Sequence, residues 1–418
     1  MYTSTARWTL NMVAKNRLVL VNPVNTVRSG FSVNQSSRFP PLGLGIVAGL
    51  TPESWDVELV DENSAPFAYR DADLVGITAF TSAANRAYEI ADICRSRGVP
   101  VVMGGIHAST CTDEALRFAD AVVIGEAESV WEQVLTDAVQ NQLRPTYQGE
   151  WLDPSQLPSP RRDIYDRDYM FASVQTSRGC PMDCDFCSVT AYNGRRYRRR
   201  PAAQVLDELE TIPDDLLFFV DDNIIGYGSE CRAQALAIFQ GMVERGIEKR
   251  WFCQASVNVA DDPEVLDWAS RAGCRMIFLG IEAEDVDALT EVNKRLNLKR
   301  GVSSYAQTFD RIHQAGIAVL GAFHGFPPRL VSLRPDRPGS SAQRLRAGRV
   351  EECYPRVRPA NLFTACPEGQ GETNSGRYGQ LGGHGIRLPG QYELSQHLPG
   401  PRHDRLIWPS RCRKRHST

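Results

Sequence analysis

Short apolar runs that alternate with helical patterns constrain the fold of this chain more than any other sequence feature. In the first part of the chain, helical patterns separate five runs rich in Val, Leu and Ile, at residues 17–21, 56–60, 74–77, 99–103 and 121–124. Strands of this length that alternate with helices form βαβ units, in which helices cover both faces of a parallel sheet. Residues 1–145 are therefore predicted to form a doubly wound parallel α/β domain.

A second strand–helix series begins at residue 171. Its predicted strands lie at residues 171–175, 216–220, 251–254, 276–279 and 318–323, and helical patterns separate them. Five such repeats indicate a partial TIM-like (β/α) barrel over residues 171–323, with its site at the carboxyl ends of the strands. Residues 146–170 between the two series are rich in Pro, Asp and Arg and lack periodicity, so they are predicted to be a linker.

The composition changes abruptly at residue 324. Residues 324–418 hold 11 of the 25 prolines and 15 arginines against one lysine, and no helical or strand period continues there. A disordered basic tail and an irregular accessory domain are two interpretations. We favour a third, a shifted coding frame near GAFHGF, because an off-frame reading of a GC-rich gene yields such a mixture. The barrel would then be incomplete after its fifth strand, and the tail would say nothing about nucleic acids.

Charge and cysteine content narrow the class of protein. The formal net charge of −3 gives no reason to expect nucleic acid or an anionic membrane as the main partner. No apolar run is long enough for a membrane span, and the first residues lack the order of a signal peptide. The 11 cysteines are therefore interpreted as thiols and metal ligands in a reducing cytoplasm.

Three cysteines lie close together directly after the first predicted strand of the second domain. Cys180, Cys184 and Cys187 occur in TSRGCPMDCDFC. Three thiolates on one short loop can hold an iron–sulfur cubane and leave its fourth iron open to a substrate. A zinc site or unrelated core thiols are the alternatives, but zinc would favour a further Cys or His pair, and none is evident.

The segment CPMDCDFC matches the CxxxCxxC signature of the radical S-adenosylmethionine (SAM) enzymes. The resemblance extends over residues 171–323 through FFVDDNIIG, WFCQASVNVA, IFLGIEAED and GIAVLGAF. The first domain resembles the Rossmann-like cobalamin-binding domain of one branch of that family, on PPLGLGIVAGLTPE, VELVDEN, DLVGITAFT, VVMGGIHAS and AVVIGEAES. The chain is most similar to the group with hopanoid methylases, phosphinate methyltransferases and the anaerobic magnesium-protoporphyrin ester cyclase.

This resemblance implies a 4Fe–4S cluster on the three cysteines, whose open iron binds the amino and carboxylate groups of SAM. One electron, from an external reductant such as flavodoxin or ferredoxin, then cleaves SAM to methionine and a 5′-deoxyadenosyl radical. Loop packing, helix capping and a surface ion pair are the alternative roles for the residues involved. The residues implied in SAM binding are Phe186 beside the adenine, Asp221, Asp222 and Asn223 near the amino group, and Gln254 and Glu282 at the rim.

The resemblance also implies cobalamin at the carboxyl ends of the first set of strands, where several loops are rich in glycine. The motif D-x-H-x-x-G, with which some cobalamin proteins supply a histidine to cobalt, is missing, because His107 lies in GGIHAST. Ordinary turn chemistry is the alternative explanation for these loops. The implied cobalamin contacts are Asn22, Thr78, Ser82, Gly104, Gly105, His107 and Glu126.

The leading functional hypothesis is methyl transfer to an unactivated centre of a small-molecule substrate. An oxidative cyclase or rearrangement enzyme with the same cofactors, or an inactive remnant caused by the altered C-terminus, are the alternatives. An RNA methylthiotransferase is disfavoured, because such enzymes have three more cluster cysteines in the N-terminal domain, and here only Cys94 and Cys111 occur there. The basic run RRYRRR at residues 195–200 is expected to be a solvated face rather than to bind RNA, and pairing with acidic side chains or with an anionic substrate is an open alternative.

Overall fold

The structure is a computed structural model, and it describes residues 15–24, 40–165 and 169–323 together with the backbone of residues 363–365. The interpretations of the C-terminal tail therefore fall outside the described residues, apart from that three-residue strand. In the described ranges, no helix is long and apolar enough to cross a membrane.

The first sheet has six parallel strands in the order β2-β1-β3-β4-β5-β6. Strand β1, second in this order, is apolar on both faces: Val19 and Val21 enter one hydrophobic cluster, whereas Leu18 and Leu20 enter another on the opposite face. The predicted doubly wound parallel domain is confirmed. The strands are β1 (Asn16–Asn22), β2 (Trp55–Asp61), β3 (Leu74–Thr78), β4 (Val101–Gly104), β5 (Ala121–Ile124) and β6 (Thr146–Gln148), and the helices are α1 (Leu42–Leu50), α2 (Ala84–Arg95), α3 (Gly105–Thr110), α4 (Thr112–Ala115) and α5 (Trp131–Val139).

The sixth strand, β6, was not predicted, because it lies inside the segment predicted to be a linker. It pairs in parallel with β5, and only its middle residue, Tyr147, is buried. A single buried side chain between two exposed ones is too short a pattern to indicate a strand. The Tyr147 hydroxyl donates a hydrogen bond to Asp137 Oδ2 on α5 at 2.8 Å and accepts one from the Arg144 backbone N–H at 3.0 Å.

The second sheet is open. Five parallel strands run in the order β13-β12-β11-β10-β7, and β14 pairs with β13 in the antiparallel direction. The described residues form no closed barrel, which agrees with the predicted partial barrel. The strands are β7 (Ala172–Val174), β8 (Ser177–Arg178), β9 (Arg198–Arg199), β10 (Leu216–Phe219), β11 (Arg250–Ala255), β12 (Cys274–Glu282), β13 (Ala318–Phe323) and β14 (Phe363–Ala365); the helices are α6 (Val189–Tyr192), α7 (Ala202–Thr211), α8 (Ser229–Glu244), α9 (Pro263–Arg271), α10 (Val286–Glu291), α11 (Arg295–Arg300) and α12 (Tyr305–Gln314).

An aromatic cluster fixes the strands of the second sheet against its helices. The Trp251 ring on β11 is 2 % exposed, lies edge-on to Phe219 at 5.0 Å between centroids, and stacks on Phe239 of α8 at 5.1 Å. Its indole N–H donates to the Ala272 carbonyl at 2.9 Å, so the polar end of the ring is also satisfied. Because the strands are parallel, their carboxyl ends emerge together at one edge of this sheet.

The contacts of Tyr147 predict the effect of removing its hydroxyl. Tyr147→Phe leaves the Asp137 carboxylate and a backbone N–H without this partner, which typically costs about 1 to 3 kcal/mol when the groups are buried. Chemical denaturation of the full chain should therefore show a lower midpoint for Tyr147→Phe. The matched control is Tyr227→Phe, because Tyr227 is 50 % exposed. Equal midpoints for the two variants would contradict the role given to this hydroxyl.

Candidate functional site

A cavity of about 430 Å³ opens at the carboxyl edge of the second sheet. This volume is within the range typical of sites for small molecules and cofactors. The cavity brings together most of the residues predicted for SAM binding. Its lining includes Cys180, Cys184, Cys187, Phe186, Asp222, Asn223, Gln254, Ser256, Phe278, Gly280, Glu282, Lys294, Ala322 and Phe323.

The three cysteines belong to the cluster loop, which we define as residues 179–197 between β8 and β9. The loop begins at Gly179 with a φ of +88°, and a Cβ atom there would lie 2.3 Å from the Arg196 carbonyl oxygen. Only glycine fits such a position. The Cys180 N–H donates to the Gly194 carbonyl at 3.1 Å, and the Cys187 N–H donates to the Cys184 carbonyl at 3.1 Å. Backbone contacts thus shape the loop independently of a metal.

The chemistry of the donor set fits an iron–sulfur cluster. All three thiols line the same cavity, and burial raises the pKa of each, that of Cys184 to about 11. A cationic metal centre favours the thiolate form, so its binding would displace these protons. Among the described residues, no three His, Cys, Asp or Glu side chains converge closely enough for a single metal ion. A cubane does not need such convergence, because each thiolate binds a different iron.

The predicted carboxylate Asp221 does not line the cavity. It is fully buried and accepts hydrogen bonds from the Thr176 hydroxyl at 2.8 Å, the Ser177 hydroxyl at 2.7 Å and the Thr176 backbone N–H at 3.0 Å. Burial raises its pKa, and the hydrogen bonds oppose that shift. The geometry thus supports a positioning role for Asp221, which fixes the chain between β7 and β8, rather than the predicted contact with SAM.

The next two residues do line the cavity. Burial raises the pKa of Asp222 to about 6, and the neighbouring Asp221 charge acts in the same direction. The Asn223 side chain donates to the Ser256 hydroxyl at 2.9 Å and accepts from the Gly226 N–H at 3.1 Å. Gln254 completes this side, and its side chain donates to the Asp221 backbone carbonyl at 3.3 Å. These neighbouring groups form a polar wall of the cavity, and Phe278, which pairs with Gln254 in the sheet, supplies apolar surface beside it.

Glu282 occupies the rim with a strained backbone. Its φ of +68° is uncommon outside glycine, and the pairing of β12 with β13 shifts register at this point. The side chain is buried, and Oε1 lies 2.7 Å from Lys294 Nζ. The same ammonium lies 5.6 Å from the centroid of the Phe186 ring. Lys294 therefore contacts two predicted residues. The sequence does not predict this role, because a single lysine between two helical patterns carries no signal.

The predicted cobalamin residues lie mainly at the carboxyl edge of the first sheet. Asn22, Thr78 and Gly104 end β1, β3 and β4. Gly105 has a φ of +91°, and a Cβ atom there would lie 2.8 Å from Thr78 Oγ1, so these two residues touch. Ser82 lies on a 3-10 turn that begins directly after the 63 % exposed Phe80. Small residues beside an exposed ring suit the close approach of a large cofactor.

Three of the predicted cobalamin residues have side-chain partners within the protein, and the first is Asn22, whose amide donates to Asp61 Oδ1 at 2.8 Å. His107 is 3 % exposed, burial lowers its pKa, and its ring nitrogens lie 2.8 Å from the Tyr88 hydroxyl and 3.3 Å from the Thr81 hydroxyl. Glu126 is bound by Arg178 and Arg198 of the second domain. The His107 and Glu126 side chains are thus engaged in hydrogen bonds or ion pairs within the protein.

The basic run at residues 195–200 is paired with acidic groups, one of the alternatives left open by the sequence. Arg195 pairs with Asp183 at 2.7 Å, Arg199 with Glu230 at 2.6 Å and Arg200 with Glu208 at 2.5 Å. These partners come from the cluster loop and from helices α8 and α7. The run therefore binds the end of the cluster loop and β9 to neighbouring parts of the protein.

Comparison with protein families identifies both domains. Residues 32–135 match the model of the B12 binding domain, and residues 174–329 match that of the Radical SAM superfamily. The second match ends close to residue 324, where the composition of the sequence changes.

Several curated proteins resemble the chain over both domains. It is 30 % identical over 329 residues to a bacteriochlorophyllide d C-12(1)-methyltransferase of Chlorobaculum tepidum, covering 74 % of this chain and 69 % of the relative. It is 31 % identical to the hopanoid C-2 methylase of Rhodopseudomonas palustris, covering 64 % of this chain and 54 % of that protein.

Solved structures share the fold at low sequence identity. The cobalamin-dependent SAM radical enzyme OxsB with aqua-cobalamin bound matches with a TM-score of 0.63 and 17 % identity, over 75 % of this chain and 50 % of OxsB. The radical SAM methyltransferase TsrM from Kitasatospora setae matches with a TM-score of 0.57 and 19 % identity, over 73 % of this chain and 68 % of TsrM. The two domain matches, the relatives and the three thiols in one cavity all indicate the same family. The chain belongs to the family of cobalamin-dependent radical SAM methyltransferases.

Proposed function

We propose that this chain uses SAM and cobalamin to transfer a methyl group to an unactivated centre of a small organic substrate. The observation that carries the proposal is the set of three thiols on one preshaped loop, facing a cavity of cofactor size. When bound, the cluster supplies the electron that cleaves SAM, and cobalamin supplies the methyl carrier. An external one-electron donor of the flavodoxin or ferredoxin type is part of the proposal, and the cytoplasmic location stays a prediction.

The cavity walls suggest how the chain would hold SAM. Cys180, Cys184 and Cys187 would bind three irons of the cluster. The Lys294 ammonium suits the SAM carboxylate, because charge-assisted hydrogen bonds of this kind are strong in a buried site. Phe186 lies beside that ammonium and offers its ring to the adenine.

The polar wall would bind the amino group of the methionine part of SAM. Asp222, Asn223 and Ser256 present a carboxylate, an amide and a hydroxyl, which can accept hydrogen bonds from an ammonium. Glu282 would bind the ribose or hold Lys294 in place through their ion pair. Phe278, Ala322 and Phe323 supply the apolar part of the cavity, which would exclude water from a radical.

Replacing one cluster cysteine tests the metal site. After anaerobic reconstitution with iron and sulfide, Cys184→Ser should lose the broad visible absorbance of the cluster and form no deoxyadenosine from SAM. Cys111→Ser is the control, because Cys111 is a partly exposed thiol of the first domain that lies outside the cavity. Cluster absorbance in Cys184→Ser equal to that of Cys111→Ser would contradict the assignment.

Replacing the cavity lysine tests the proposed SAM contact. Lys294→Gln removes the ammonium, and the dissociation constant for SAM should rise roughly tenfold or more, as expected for one partner of a buried charge pair. Lys299→Gln is the control, since Lys299 is exposed on α11 in the same segment. Binding of SAM is followed by its effect on the electron paramagnetic resonance of the reduced cluster. Equal affinities in the two variants would rule out this contact.

Methyl transfer can be separated from the cyclase alternative without knowing the substrate. The reconstituted chain is incubated with SAM and a chemical reductant, with and without added cobalamin. A methyltransferase should form S-adenosylhomocysteine only when cobalamin is present, because cobalamin takes the methyl group. Formation of deoxyadenosine alone in both reactions would favour an oxidative cyclase or rearrangement enzyme. A chain that binds no cluster and forms neither product would contradict the proposed activity.

A further inference from the structure

Two arginines face each other at the base of the cluster loop. Strands β8 and β9 form a two-stranded antiparallel hairpin in which Arg178 lies directly opposite Arg198. This hairpin closes the loop, because Arg178 precedes Gly179 and Arg198 follows Tyr197. Like charges directly opposite each other destabilise a strand pair, so the hairpin requires compensation from outside.

That compensation comes from the first domain. The segment after β5 carries Glu126, whose Oε2 lies 3.1 Å from Arg178 Nη1 and 3.0 Å from Arg198 Nη1, and whose Oε1 accepts a further bond from Arg198 Nη2. Glu128 adds a second carboxylate, with Oε1 2.7 Å from Arg178 Nη2. One carboxylate thus bridges both strands of the hairpin, and the two carboxylates balance the two guanidinium charges.

The four charges are removed from water. The side chains of Glu126, Glu128 and Arg178 are 3 %, 7 % and 9 % exposed, and that of Arg198 is 17 % exposed. Removal of one member of such a group leaves an uncompensated buried charge, which is strongly destabilising.

Further contacts connect the cluster loop to the segments after β5 and after β6. The Tyr192 hydroxyl of the cluster loop donates to the Gly125 carbonyl at 2.9 Å, and the Trp151 indole N–H donates to the Tyr192 carbonyl at 2.9 Å. The segment after β5 is therefore bound to the cluster loop at its base and at α6. These contacts lie outside the cavity walls, so they act on the shape of the loop rather than on a ligand.

We propose that Glu126 and Glu128 of the cobalamin-binding domain are positioning residues of the cluster loop, because they neutralise two facing arginines that would otherwise repel each other across the hairpin. This inference deepens the proposed function, because it rests on the loop being the cluster site. It also replaces the predicted cobalamin contact of Glu126 with a role toward the other cofactor. The two domains are thereby coupled through charge, and the loop keeps its shape only while the first domain is docked.

The metal-free full chain is sufficient for the decisive experiment. Hydrogen–deuterium exchange, read by mass spectrometry, reports on peptides of residues 179–197. Glu126→Gln should speed exchange in this loop roughly tenfold or more, because a buried charge loses its partner and the hairpin opens. The matched control is Glu230→Gln, which removes the partner of Arg199 on the same strand but from a side chain that is 81 % exposed. Loop exchange that is the same in Glu126→Gln and Glu230→Gln would overturn the proposal.

A double-variant cycle distinguishes the loss of charge neutralisation at the hairpin from a nonspecific loss of stability. In an Arg198→Gln background, Glu128 still faces Arg178, so adding Glu126→Gln should change loop exchange by less than about threefold. If Glu126→Gln alone fails to fold, the double variant tests the proposal instead. The proposal requires the double variant to fold as well as Arg198→Gln does. An effect of Glu126→Gln as large in that background as in the unchanged chain would contradict the proposal.

Cobalamin binding distinguishes the positioning role from a ligand role. Titration with aqua-cobalamin, followed by absorbance, should give the same affinity for the Arg198→Gln chain with and without Glu126→Gln. A loss of cobalamin affinity with unchanged loop exchange would instead make Glu126 a cofactor contact. A chain that binds neither cluster nor cobalamin would contradict the proposed function, whereas the exchange measurements would still decide the role of the two glutamates.

Discussion

Buried carboxylates hold the cluster loop from two sides, and the site depends on them. Asp221 binds the strand that enters the loop through Thr176 and Ser177. Glu126 binds both strands at the loop's base through Arg178 and Arg198. In a low-dielectric environment such contacts are strong when complete and costly when broken, so they define one arrangement of the loop. The three thiols can then be presented to the cavity before any metal is bound.

This arrangement explains the unusual density of arginine after the cysteines. The sequence RRYRRR covers the end of the loop and β9, and it supplies one guanidinium to the loop itself, one to the first domain and two to helices of the second domain. A planar guanidinium with several donors can bind a carboxylate and a backbone carbonyl together, as Arg198 does with Glu126 and the Leu152 carbonyl. The run thus connects the loop, the first domain and two helices through ion pairs.

The parts of the structure that the sequence predicted are those with a local signal. The strands of both sheets were found because buried parallel strands are continuous apolar runs, and the thiols because they share one short loop. The parts that were missed depend on distant partners. Glu126 meets Arg198 across 72 positions of sequence, Lys294 meets Glu282 after an irregular turn, and β6 has only one buried side chain. Asp221 was correctly placed at a strand end, but no pattern distinguishes an inward carboxylate from its neighbour Asp222, which lines the cavity.

The facing arginines have a consequence for the modularity of the two domains. A radical domain with this hairpin cannot be joined to an arbitrary partner domain, because the partner must bring two acidic side chains in the spacing of Glu126 and Glu128. Recombination between related genes would therefore yield working hybrids only when the acidic pair and the arginine pair are inherited together. Matching charges at this interface would thus decide which first domain fits which radical domain, without any part played by the cofactors.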